Sequence, residues 1–150
     1  MVRDIILVLP EASLILWGGF CALQLAKREG GKVYALLDIN GEPSPEVTKL
    51  LARLRSKAET EEIDLKIYLS DDKKLESALL DLLKRKDTVQ ILVAVKNRSQ
   101  IKYTEKWIKE IEKKLIEQPD WPYSHLQYLV VPEPNDTESQ KNIEAYYKNK

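Results

Sequence analysis

Five short apolar runs, at residues 5–9, 33–39, 65–69, 89–95 and 126–131, punctuate this chain, and each gap between them is long enough to hold a helix. Unalternating runs of this length are strands covered on both faces, and parallel strands joined by helical crossovers are the arrangement that covers them. The first run ends at Pro10, and Pro132-Glu133-Pro134 forbids continuation of the last. The third run alternates in part: Lys66 and Tyr68 face away from Leu65, Ile67 and Leu69, as expected of an edge strand.

Helical periodicity fills the gaps. Ser13 is placed to cap a helix through Leu16, Trp17, Phe20, Leu23 and Ala26, with Gly30-Gly31 as its left-handed stop. Gly18-Gly19 inside that helix costs about 1 kcal/mol per residue relative to Ala, which close packing would offset. Ser44 and Pro45 open a second helix with Val47, Leu50, Leu51, Leu54 and Ala58 on one side. Ser70, Asp71 or Asp72 caps a third, with Leu75, Leu79, Leu82 and Leu83 inward. Ser99 opens a fourth along Ile101, Ile108, Ile111 and Leu115, stopped by Pro119. Five strands alternating with four helices predict an α/β fold: one doubly wound, Rossmann-like five-stranded parallel sheet of order 3-2-1-4-5, with helices on both faces. The domain is read as 1–132, followed by a polar C-terminal extension, 133–150, in which Ile143, Tyr146 and Tyr147 make a weak helical stripe.

Composition removes several function classes. The 24 basic and 24 acidic residues cancel, so no charge excess favours nucleic acid, and none is expected as a partner. Lys96 to Lys114 carries seven basic and three acidic residues, but Glu105, Glu110 and Glu112 make it a solvated, interleaved helix face. One Cys and one His supply neither a disulfide nor an all-N/S zinc site. The apolar segment 12–26, broken by Ser13 and Gln24, falls short of the roughly 20 residues of a bilayer span. No membrane span and a cytoplasmic location are therefore expected.

In an open sheet of this order, ligands collect beyond the strand carboxyl ends where the winding reverses, here between strands one and four. That places Pro10, Glu11 and Ser13 opposite Lys96, Asn97, Arg98 and Ser99. A helix start with nearby cations favours an anion, so Glu11, Lys96, Asn97, Arg98 and Ser99 are the candidate ligand contacts. The plainer reading has Asn97 and Ser99 filling turn and cap hydrogen bonds while the cations stay solvated. Other features carry less. Asp71-Asp72 is better read as a cap than as a magnesium site, and Asp38 at a strand end is assigned no role. Cys21, amid Phe20, Ala22 and Leu23, is a packing group, and His125 lacks a Ser-His-Asp context. Trp107, Trp121 and Tyr123 mark a partner surface if they project, and core otherwise. No catalytic constellation and no metal site emerges.

The run Asp4 to Leu9, the passage Ala22 to Val33, Leu36-Leu37-Asp38-Ile39, and Val89 to Val95 followed by Lys96-Asn97-Arg98-Ser99 together resemble the universal stress protein, or UspA-like, family over residues 1–132. The resemblance implies this fold, a stress-response role and a homodimer. Many members of that family bind ATP through Gly-x-x-Gly, a nine-residue gap and Gly-Ser/Thr after strand four. The matching positions here are Val95, Arg98, Ile108 and Lys109, and no glycine follows Gly41. Pro10 stands where the family places its adenine-contacting Asp. ATP binding therefore does not carry over, and no cofactor is expected.

The expectation is a non-catalytic regulatory or interaction domain with a protein partner of unknown identity. It would self-associate through an edge formed by Leu126, Tyr128, Leu129, Val130 and Val131. The alternative is a nucleotide or other anion binder that uses the strand-one/strand-four crevice.

Overall fold

The central strand β1, Arg3–Leu9, is hydrogen-bonded on both sides, to β2, Gly30–Asp38, and to β4, Val89–Val95. Flanked in this way, its apolar run 5–9 is fully buried, and successive side chains enter opposite cores because side chains alternate along a strand. Ile5, Leu7 and Leu9 join one cluster, and Ile6 and Val8 join the other. The edges are β3, Leu65–Ser70, beside β2, and β5, Tyr128–Pro132, beside β4. All pairings are parallel and the order is β3-β2-β1-β4-β5, as the alternation of strands and helices predicts. The structure, a computed structural model, describes residues 3–71, 74–85, 89–118 and 126–148.

Helices α1, Ile15–Glu29, and α2, Pro45–Thr60, cover one face, while α3, Leu75–Arg85, and α4, Ile101–Ile116, cover the other. Local signals account for most boundaries. Gly30 ends α1 in the left-handed region at φ 75°, its N–H donating to the Ala26 carbonyl. Ser44 Oγ accepts from the Val47 N–H, and Pro45 occupies the first turn of α2. Two start signals differ from expectation. Ser13 does not cap α1: it lies in a 3-10 turn, Ala12–Leu14, and its hydroxyl donates to Glu11 Oε1. α4 is prefaced by a 3-10 turn, Arg98–Gln100, capped by Asn97 rather than Ser99. The caps expected at Asp72 and the stop at Pro119 lie outside the described residues.

Gly18 and Gly19 are sites of close approach. A Cβ on Gly18 would stand 2.6 Å from Leu9 Cδ2 and 3.1 Å from Ala94 Cβ, so its absence lets α1 lie against the sheet. On Gly19 it would meet Leu54 Cδ1 at 2.5 Å and the Tyr147 hydroxyl at 2.6 Å. Tyr147 belongs to a fifth helix, α5, Thr137–Lys148, within the segment read as an extension. Ile143 is buried, Tyr146 and Tyr147 pack on the α1/α2 core, and the Tyr147 hydroxyl donates to the Leu16 carbonyl at 2.6 Å. Phe20 and Tyr146 meet edge to face at 4.9 Å, and Lys57 Nζ lies 4.5 Å from the Tyr146 ring centre.

Glu61, just past α2, ties this corner together through Lys27 at 3.1 Å and Lys57 at 3.7 Å. The Lys27 hydrogen bond outweighs partial burial and holds the Glu61 carboxyl below its ordinary 4.5. A carboxyl whose folded-state pKa is depressed stabilises the fold fully above about pH 4.5, and that contribution is lost as pH falls through the folded value. Glu61→Gln is therefore expected to flatten the acid limb of the stability profile, read as urea midpoints at pH values on either side of 4.5. An acid limb as steep as that of the parent protein would contradict this coupling.

Candidate functional site

The polypeptide leaves β1 at Pro10 and crosses to the α1 face, whereas it leaves β4 at Lys96 and crosses to the α4 face. This divergence opens a cleft of about 490 Å³ above the strand ends. Its floor is Val93 and Val95 of β4, with Leu14 from the turn before α1. One wall is the start of α3, Leu75 and Glu76, and the other is Gln100 of the turn before α4 with Tyr103, Thr104 and Trp107 from the first two turns of α4. Pro10, Glu11 and Asp38 form the rim toward β2, where a second lobe of about 360 Å³ begins. The two lobes share those three residues, and the smaller one continues past Asn40 and Glu42 to Ser44 and Val47 at the start of α2.

Of the residues anticipated from sequence, Glu11 lines both lobes. Lys96, Asn97, Arg98 and Ser99 do not line either. Their positions have local explanations. Lys96 Nζ pairs with Glu133 at 3.2 Å, beyond the end of β5. Asn97 Oδ1 accepts from the Ser99 N–H at 3.1 Å and from its hydroxyl, while Gln100 Oε1 accepts from the N–H groups of Lys96, at 2.8 Å, and Asn97, at 3.3 Å. The amides of Lys96, Asn97 and Ser99 before α4, which a phosphate would need, are thus taken up by the chain's own side chains. Arg98 is exposed in this turn.

The cleft depends on residues that sequence reasoning passed over. Asp38, to which the sequence assigns no role, lies at the carboxyl end of β2 on the boundary of both lobes. Its position at a strand end one place from the switch was the available signal. Glu76 also lines the larger lobe, its carboxylate held by Lys114 from α4 at 2.9 Å. Trp107 is half-buried and packs against the α3/α4 core while lining the cleft, and Tyr103 remains 77% exposed. Trp121, Tyr123 and His125 lie outside the described residues. Among the described lining residues there is no lysine or arginine.

Cys21 is half-buried against the α1/α2 core, and burial pushes its thiol up to about 12, which suppresses the nucleophilic thiolate. Among the described residues no group of three or more His, Cys, Asp or Glu side chains is arranged to hold a metal ion, and no helix is long and apolar enough to cross a membrane.

Fold and cleft define a doubly wound, Rossmann-like α/β protein with an open cleft at its switch point. No protein-family model matches the chain, and no curated protein sequence matches it significantly.

Proposed function

We propose that this is a non-catalytic, cytoplasmic regulatory domain of the UspA-like kind, acting in a stress response as a homodimer and holding a small molecule other than a nucleotide in the switch-point cleft. The observation that carries the reading is the cleft itself. Its volume falls in the range of small-molecule sites, about 300 to 1,000 Å³, and it combines an apolar floor with a few polar groups. Against a nucleotide stand the self-capped amides before α4, the side chains of Val95 and Arg98 where bare backbone is wanted, and carboxylates as the ionic groups among the described lining residues. Calorimetric titration of the full chain with ATP is expected to give no heat. ATP bound in the cleft would overturn the reading.

The dimer would form along β5. The Ile91 N–H donates to the Gln127 carbonyl and the Glu133 N–H to the Val95 carbonyl, so odd-numbered residues between them face β4. Tyr128 and Val130 direct their backbone groups outward, and Pro132 sits where an N–H would find no partner in the sheet. Leu129 is 44% exposed on this short edge. Light scattering at micromolar concentration is expected to give twice the chain mass of 17.3 kDa. Leu129→Lys should yield the monomer, because an edge lysine opposes pairing. A monomeric parent protein would refute the dimer.

A further inference from the structure

The electrostatic sign of the cleft specifies its ligand further. Lysine plus arginine and aspartate plus glutamate are equally numerous in the chain, 24 each, so a lining drawn at random would hold both signs. The two lobes instead carry Glu11, Asp38, Glu42 and Glu76, with no cationic side chain among the described lining residues. Lys114 pairs with Glu76 at 2.9 Å and the Ser13 hydroxyl donates to Glu11; Glu11 and Asp38 stand at the junction shared by both lobes. Beside that junction the larger lobe is apolar and aromatic. Tyr103 and Trp107 are one helical turn apart on α4, over the floor formed by Val93 and Val95. Low-dielectric walls next to one sign of charge concentrate the opposite sign, and aromatic rings add attraction for a cation.

We infer that the cleft takes an organic cation with a flat apolar body, a protonated arylalkylamine, whose ring lies in the Tyr103/Trp107 lobe and whose ammonium faces Glu11 and Asp38. This inference rests on the cleft being a ligand site, and the probes separate the two claims. Tryptamine, neutral tryptophol and anionic indole-3-propionate share one ring system and differ in charge. Titrated into the full chain, with amide shifts of Val93, Val95 and Thr104 followed by NMR, tryptamine is expected to bind about tenfold more tightly than the propionate and to weaken as salt is raised. Glu11→Gln, a change at an exposed position, should weaken tryptamine about threefold and leave tryptophol unchanged. Equal or tighter binding of the propionate overturns the cation assignment and leaves the ligand site standing. Failure of all three indoles to shift the cleft amides overturns both.

Discussion

Gly31→Ala is expected to lower stability by about 2–3 kcal/mol, more than any other single-methyl addition in the protein, because the new Cβ meets backbone that cannot rotate away. It would stand 2.0 Å from the Arg3 carbonyl oxygen, 2.5 Å from the Arg3 carbonyl carbon and 2.9 Å from the Asp4 nitrogen. This crowding has a cause in the register. Arg3 pairs with Gly30 and Ile5 with Val33, so β2 carries one residue more than β1 over this stretch and bulges. The Lys32 N–H, displaced by the bulge, donates to Asp4 Oδ1 at 3.0 Å. Gly30→Ala is the control: nothing lies within 4 Å of a Cβ there, and only the left-handed backbone at φ 75° opposes it, at about 1 kcal/mol. Urea midpoints at unchanged slope measure both, and equal losses in the two variants would show that the bulge is not the constraint.

Tyr147→Ala is expected to cost about 3 kcal/mol and to loosen α5. The ring packs against the α1/α2 core in the space left by Gly19 and meets Tyr146 edge to face at 5.2 Å, and Arg53 stands 5.7 Å from its centre. Burial drives its phenol well above the ordinary tyrosine range, which keeps the hydroxyl a donor to Leu16 at any physiological pH. Tyr147→Phe keeps the ring and loses only that hydrogen bond, about 1 kcal/mol. Amide exchange across Thr137–Lys148 distinguishes the outcomes. If α5 is integral to the fold, the alanine variant exchanges faster there and also loses global stability. Faster exchange in α5 with an unchanged urea midpoint would mean that the domain stands without it.

The strands were legible because their burial is two-sided. The run 5–9 and, Gln90 aside, Val89–Val95 alternate between two cores, so their side chains are apolar on both faces and a single pattern identifies a covered strand. Gly30, Ser44 and Pro45 were legible because each acts on neighbouring backbone. The start of α1 was not: Ser13 has the chemistry of a cap, but the chain leaves β1 through a 3-10 turn that directs its hydroxyl to Glu11. The docking of α5 is not legible, because twelve mostly polar residues offer only the weak stripe of Ile143, Tyr146 and Tyr147, which acquires meaning only against a surface that fits it.

The candidate site divides in the same way. Strand order located the switch point, and Glu11 lines the cleft there. Lys96, Asn97, Arg98 and Ser99 follow β4 at the switch point where a helix start with cations favours an anion, yet the tight turn into α4 uses Asn97 as its cap and turns Lys96 to Glu133, and the wall is supplied by residues one and two turns further on. The order of apolar runs and breakers by itself determined the sheet, its winding and the position of the switch point, since burial and backbone geometry are written in local pattern. Which side chains face that place, and the sign of the charge they present, was decided only by the tertiary structure, because side-chain direction depends on how each helix is rotated against the sheet.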